Sequence, residues 1–169
     1  MCDRNAGPLN AQIVQFLTDI GLTVRPGKVP NDAFLPGIAI MHGELLFDEV
    51  RMLYPGDLLH EAGHLAVLSP RQRKCIHLNV GSDPGEEMAA IAWSYAAALH
   101  LAIDPAVVFH EYGYKGGSTS LLENFAQGRY VGVPILQWRG LALEPKRARD
   151  LGLDPYPAML RWVCSDECS

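Results

Sequence analysis

Two histidines four residues apart leave this chain few ways to fold. His60 and His64 stand in the run Asp57-Leu58-Leu59-His60-Glu61-Ala62-Gly63-His64-Leu65-Ala66-Val67-Leu68, which reads as one short amphipathic helix. Pro55-Gly56 breaks the chain before it, Asp57 is suited to cap its N-terminus, and Ser69-Pro70 ends it. Residues i and i+4 share a helix face, so the two imidazoles project together, one turn apart. At that spacing neutral imidazoles can ligate a single Zn2+ without bending the backbone. Glu61 lies about 100° round the helix from His60, at the rim of the same face. There its carboxylate can take a proton from zinc-activated water instead of ligating the metal. Leu58, Leu59, Ala62, Leu65 and Leu68 cover much of the remaining circumference, so the helix is expected to be buried, and two buried histidines need partners.

The rest of the composition sets bounds on partners. A chain of 169 residues is expected to form a single domain, 1–169, with a substantial core. Its net charge of −5 argues against a nucleic-acid or anionic-membrane surface. The one basic run, Arg71-Gln72-Arg73-Lys74, is short and reads as a solvated connector. No apolar stretch reaches the roughly 20 residues that span a bilayer, and Met1-Cys2-Asp3-Arg4-Asn5 lacks the hydrophobic region of a signal peptide. The expected location is the cytoplasm, with Cys2, Cys75, Cys164 and Cys168 reduced. Cys164 and Cys168 form a lone C-x3-C pair, short of the four ligands of a closed zinc site, and read as part of a frayed tail.

Taken in order, Leu9 to Leu22 carries helical apolar periodicity ending at Gly21, and the proline-rich 25–36 should be irregular. Gly37 to Met41 and Glu44 to Phe47 read as paired strands around a His42-Gly43 turn, and Cys75 to Val80 alternates like a further strand. Glu86 to Ile103 is the longest helical run, rich in alanines that let another helix approach closely. His110 to Gly117 is a loop of polar aromatics and glycines, followed by short helices over 118–126, 144–151 and 155–164. Pro134 excludes a regular central strand over 130–138.

Catalytic zinc uses three protein ligands and leaves one position for water, so a third ligand is required. Glu86 and Glu87, which open the next long helix, are the candidates. Adjacent glutamates at a helix N-terminus also complement its dipole, so one of them can serve that purpose alone.

With these residues the chain resembles the zincin metallopeptidases, and within them the gluzincin branch. There, two histidines come from His-Glu-x-x-His and the third ligand is a glutamate on the following helix. Glu87-Met88-Ala89-Ala90-Ile91-Ala92-Trp93-Ser94 is similar to the Glu-x-x-Ala pattern of several gluzincin families, including the compact proteases that cleave phage repressors or stress regulators. Glu86-Glu87-Met88-Ala89 fits that pattern equally well. Trp93 and Ser94 then favour Glu87, with Glu86 as the alternate. The resemblance covers roughly residues 37–100. It departs from metzincins in lacking a third downstream histidine, and from several gluzincins in lacking an acid four positions after either glutamate.

The resemblance implies an α+β, zincin-like, helix-dominated fold with a small sheet preceding the motif helix. It also implies a zinc-dependent peptidase that cleaves a peptide or protein substrate, held as an added strand along Gly37 to Met41. Glu61 would act as general base, and His110, Tyr112 or Tyr114 would supply the oxyanion stabiliser. From a different class comes a non-catalytic zinc-binding sensor or interaction module on the same scaffold. Glu61 separates the two, because a purely structural site has no evident use for it.

Overall fold

A computed structural model describes residues 6–165. Its architecture is α+β and helix-dominated. It follows from where the apolar runs fall: α1 (Ala6–Asp19), β1 (Val24–Pro26), β2 (Ile38–Met41), β3 (Glu44–Phe47), α2 (Gly56–Val67), α3 (Pro70–Cys75) and α4 (Pro84–His100). Then come α5 (Ser118–Ala126), α6 (Val133–Trp138) and α7 (Pro145–Leu151), with 3-10 turns at Pro105–Val107 and Tyr114–Gly116. No helix among the described residues is long and apolar enough to cross a membrane.

The three strands lie in the order β1-β3-β2, antiparallel between β2 and β3 and parallel between β1 and β3. Met41 faces Glu44 across the hairpin. Between them His42 (φ 52°) and Gly43 (φ 80°) both adopt left-handed backbone, the two-residue turn whose twist matches paired strands. β1 falls within the stretch expected to be irregular. Its proline is tolerated because the strand is an edge and pairs on one side only. The outer edge of β2 is partly covered by the chain itself, since the Leu78 N–H donates to the Ile40 carbonyl at 2.7 Å and Leu35 bridges to Ile38.

The centre of the core is the packing of α2 on α4. Leu58, Leu59, Ala62, Leu65 and Ala66 of α2 are fully buried, as are Ala89, Ala90, Ala92, Trp93 and Ala97 of α4. A side chain on Gly63 would lie 2.8 Å from the Ala90 carbonyl oxygen and 3.1 Å from its Cα, so the two backbones meet where only hydrogen separates them. Trp93 is buried with its indole N–H donating to the Trp162 carbonyl at 2.7 Å, which satisfies the one polar atom it carries inside.

Several local expectations give way to tertiary structure. Asp57 does not cap α2: Pro55 holds the cap position in helical backbone, and the Asp57 carboxylate turns to His110. Ser69 does more than end α2, because with Gln72 it forms a reciprocal capping box for α3. The basic run is therefore a helix rather than a connector. Cys75 to Val80 is no strand; Leu78 takes φ 59°, and only an isolated His77–Asn79 bridge forms. Residues 155–164 are not a helix either. Their amides are claimed at a distance, Tyr156 N by Leu143 O, Leu160 N by Leu141 O and Cys164 N by Ala66 O. Cys75 is a free thiol as expected, whereas Cys164 is disulfide-bonded. This corrects the expectation of a reduced thiol at Cys164; Cys168, the other member of the C-x3-C pair, lies outside the described residues.

The glycine contact gives the first prediction. Gly63→Val should lower stability by the roughly 1–3 kcal/mol of an overpacked core, or more, because a backbone must move. Urea unfolding of the variant measures it, and an unchanged midpoint would contradict the close approach.

Candidate metal centre

The site is built on α2, whose apolar residues fix its rotation and leave His60 and His64 on one face. Their Nε2 atoms point at each other across 3.1 Å, with the rings near perpendicular at 87° and centroids 4.8 Å apart. The far end of the helix is tied off from α3. Arg73 donates through Nε to the Leu65 carbonyl at 2.7 Å and through Nη2 to the Leu68 carbonyl at 3.0 Å. A cation at carbonyls left without helical partners also complements the helix dipole.

α4 brings the carboxylate. Asp83 caps it, accepting from Gly85 N at 2.7 Å and Glu86 N at 3.3 Å. Glu87 then extends to both imidazoles, its Oε1 3.5 Å from His60 Nε2 and its Oε2 3.2 Å from His64 Nε2. Glu86 turns elsewhere: its nearest charged partner is Arg139, at 3.9 Å. Two residues adjacent in sequence are separated by about 100° of helix rotation, which is why one faces α2 and the other α6. The ligand-capable atoms of His60, Glu61 and His64 also lie within 4.8 Å of one another. Glu61 therefore stands beside the group, while the closer contacts to the imidazoles belong to Glu87.

Those distances suit a small cation. A tetrahedral ion with bonds of 2.0–2.1 Å has ligand-to-ligand edges of roughly 3.3–3.4 Å; the two imidazole nitrogens stand 3.1 Å apart, and each Glu87 oxygen reaches one of them, Oε1 at 3.5 Å and Oε2 at 3.2 Å. Two imidazole nitrogens and a carboxylate facing inward at this range repel unless a proton or a cation lies between them. Exposure is uneven: the side chains of His60 and His64 are 13% and 5% exposed, that of Glu87 45%. The site thus has two dry walls and one side open to solvent.

The charges are tuned by the same burial. Burial, reinforced by His64 and opposed by Glu87, lowers the pKa of His60 to about 4, so its ring is neutral and free to ligate at neutral pH. Burial raises the Glu61 pKa to about 7, with His64 working against the rise and Asp57 and Glu87 adding to it. Glu87 moves the other way, held low first by its hydrogen bond to His64 and then, against a burial penalty, by the proximity of both imidazoles.

The loop over 110–117 meets the same helix at two points. His110 Nε2 lies 3.0 Å from Asp57 Oδ1, and Tyr114 Oη lies 3.0 Å from His60 Nδ1, on the far side of the ring from the nitrogen that faces His64. Tyr114 and Lys115 both hold positive φ, 53° and 51°, an uncommon conformation for residues with side chains. Tyr112 is 74% exposed and stacks on Tyr54, so it contacts none of the candidate ligands. Of the three candidate oxyanion stabilisers, Tyr114 stands on the outer side of His60 and His110 is engaged with Asp57. Asp57 is a cap residue by type but serves as the partner of His110. The Tyr114 contact spans 54 residues, beyond any local pattern.

Compared with protein-family models, curated proteins and solved structures, the chain matches none.

Two predictions follow from this geometry. His60→Ala and His64→Ala should each abolish stable zinc retention on dialysis. Glu87→Gln should weaken binding more than Glu86→Gln, which should stay within about twofold because Glu86 faces Arg139. Elemental analysis and chelator competition measure both, and the reverse order for the glutamates would contradict the arrangement.

The second concerns pH in chelated, metal-free protein. Unfolded His60 protonates near 6.5 but folded His60 only near 4, so its contribution is full above 6.5 and is lost on acidification toward 4. Folded Glu61 keeps its proton to about 7 against 4.5 when unfolded, so its contribution is full below 4.5 and is lost as pH rises toward 7. The two offset each other between 4.5 and 6.5. Glu61→Gln removes one side, and its stability relative to wild type should fall by up to about 3 kcal/mol as pH drops from 6.5 to 4. Urea unfolding at each pH tests this, and a difference that does not change with pH would count against it.

Proposed function

We propose that the chain is a zinc-dependent, metallopeptidase-like hydrolase on a zincin-like scaffold, with His60, His64 and Glu87 holding the ion and Glu61 as general base. The observation that carries this reading is the convergence of His60 Nε2, His64 Nε2 and the Glu87 carboxylate within 3.1–3.5 Å, with a further carboxylate beside them. Imidazole and carboxylate donors suit zinc, and a three-ligand set leaves the open position that catalysis needs. The order of a hairpin, the motif helix and a glutamate-bearing helix supports the same assignment.

Held there, zinc supplies a Lewis acid that polarises a carbonyl and acidifies water. The remaining work falls to the chain's own residues. Glu61 accepts a proton from the attacking water and returns it to the leaving amine, a task suited to a carboxylate made more basic by burial. His60 and His64 form the closed walls, and the exposed flank of Glu87 is the side from which a substrate carbonyl approaches. The substrate in this reading is a peptide or an unfolded protein segment, whose amide carbonyl can enter from the solvent-open side at Glu87.

The test separates base from ligand. Glu61→Gln should keep zinc and near-wild-type stability at neutral pH while peptide hydrolysis falls by roughly 10²–10⁴-fold. Zinc-loaded wild type and variant would be incubated with a panel of unstructured peptides and products read by mass spectrometry. Equal cleavage by both, or no cleavage by wild type while zinc is retained, would overturn the proposal.

A further inference from the structure

The loop after α4 brings a hydroxyl to the side of His60 that faces away from Glu87. Tyr114 Oη stands 3.0 Å from His60 Nδ1, on the opposite side of the ring from the nitrogen that faces His64 and Glu87. The two rings meet edge-on, 86° apart with centroids separated by 5.3 Å, so the hydroxyl is what reaches the imidazole. The Tyr114 ring itself packs against the buried Phe109, at 5.2 Å between centroids.

The loop is built to keep that hydroxyl in place. Ser118 Oγ donates to the His110 carbonyl at 2.6 Å and lies 3.3 Å from the Gly113 carbonyl, closing the loop at its base. His110 reaches Asp57 of α2 at 3.0 Å, so one loop grips the motif helix at two residues three positions apart. From the second grip onward, Tyr114, Lys115 and Gly116 take positive φ of 53°, 51° and 83° in succession. Two side-chain-bearing residues keep such backbone only where surrounding contacts over-determine it, and such sites cluster around function.

We infer that Tyr114 is a positioning residue for His60, fixing the imidazole plane so that Nε2 stays aimed at His64 and Glu87; this rests on the zinc reading given above. A neutral imidazole has one N–H, and a ring that ligates through Nε2 must carry it on Nδ1. A tyrosine hydroxyl both accepts and donates. It takes the Nδ1 proton's hydrogen bond when Nε2 ligates, and it donates to Nδ1 when the proton sits on Nε2. A carboxylate in the same place can only accept. Tyr114 therefore keeps the ring oriented with and without the ion, and lets the site load without reshaping the loop.

Tyr114→Phe removes the hydroxyl and little else, and Tyr112→Phe, on the exposed part of the same loop, is the control. Zinc affinity is measured by competition with a chromophoric chelator, and the His60 Nδ1 proton is followed by 15N-edited NMR of zinc-loaded protein. Tyr114→Phe should bind zinc about 10–100-fold more weakly, the range for lost partners behind metal ligands. Its Nδ1 proton should exchange with water faster than in wild type, while Tyr112→Phe matches wild type in both readouts. Affinity within twofold of wild type together with unchanged exchange would overturn the inference, as would an equal loss in Tyr112→Phe. If wild type binds no zinc, the underlying reading falls and this one with it. If wild type binds and Tyr114→Phe is unaffected, this one alone falls.

Discussion

Everything about the candidate centre depends on how near α2 and α4 come to each other. The contact of Gly63 with the backbone of Ala90 sets that separation, and the alanines around it keep it small along the interface. Glu87 lies one turn before Ala90 on α4, and His60 and His64 flank Gly63 on α2, so the two halves of the site are carried by the same contact. A larger residue at that crossing would open the gap between Glu87 and the imidazoles. The 3.2–3.5 Å separations seen here are those that this helix spacing sets. Core packing and site geometry are one constraint.

Around that contact the polar groups are shared out so that no single element carries the site. α3 ties off the carbonyls at the end of α2 through Arg73, Asp83 starts α4, Arg139 draws Glu86 aside, and the loop 110–117 holds the outer side of His60 and the start of α2. Half-buried His60 and Glu61 are pushed toward neutrality by desolvation, in opposite directions on the pH scale. A cation entering the group would reverse part of that balance, favouring ionised Glu61 and excluding a proton from His60. The metal-free chain therefore resembles a poised receptor, with the His60 imidazole neutral and the Glu87 carboxylate held ionised beside it.

How much of this could be read in the sequence depends on range. The i, i+4 histidines, the hairpin around His42-Gly43 and the long alanine-rich helix are set by local periodicity and turn chemistry, and each lies near where the pattern put it. In the sequence only Trp93 and Ser94 favour Glu87 over Glu86, by resemblance. That Glu87 stands beside the imidazoles and Glu86 beside Arg139 comes from the rotation of α4 against α2, a tertiary fact. Asp57 looked like a cap because of its residue type, yet Pro55 held the cap position and freed the carboxylate for His110. The alternating stretch at 75–80 failed as a strand because Leu78 entered left-handed backbone and gave its N–H to Ile40 instead of a neighbouring strand. Residues 155–164 failed as a helix because their amides found carbonyls on distant segments. Tyr114 was visible as a residue of interest, but its partner was not, since nothing local links it to His60.

The central claim is that three side chains from two helices hold one zinc ion. Crystals grown from protein loaded with one equivalent of zinc, with diffraction recorded on both sides of the zinc absorption edge, test it most directly. The account predicts a single anomalous peak bounded by His60 Nε2, His64 Nε2 and the Glu87 carboxylate, with metal-to-ligand distances of about 2.0–2.2 Å. A peak elsewhere, such as at the stacked His42 and His77 rings, or no peak between α2 and α4, would contradict it.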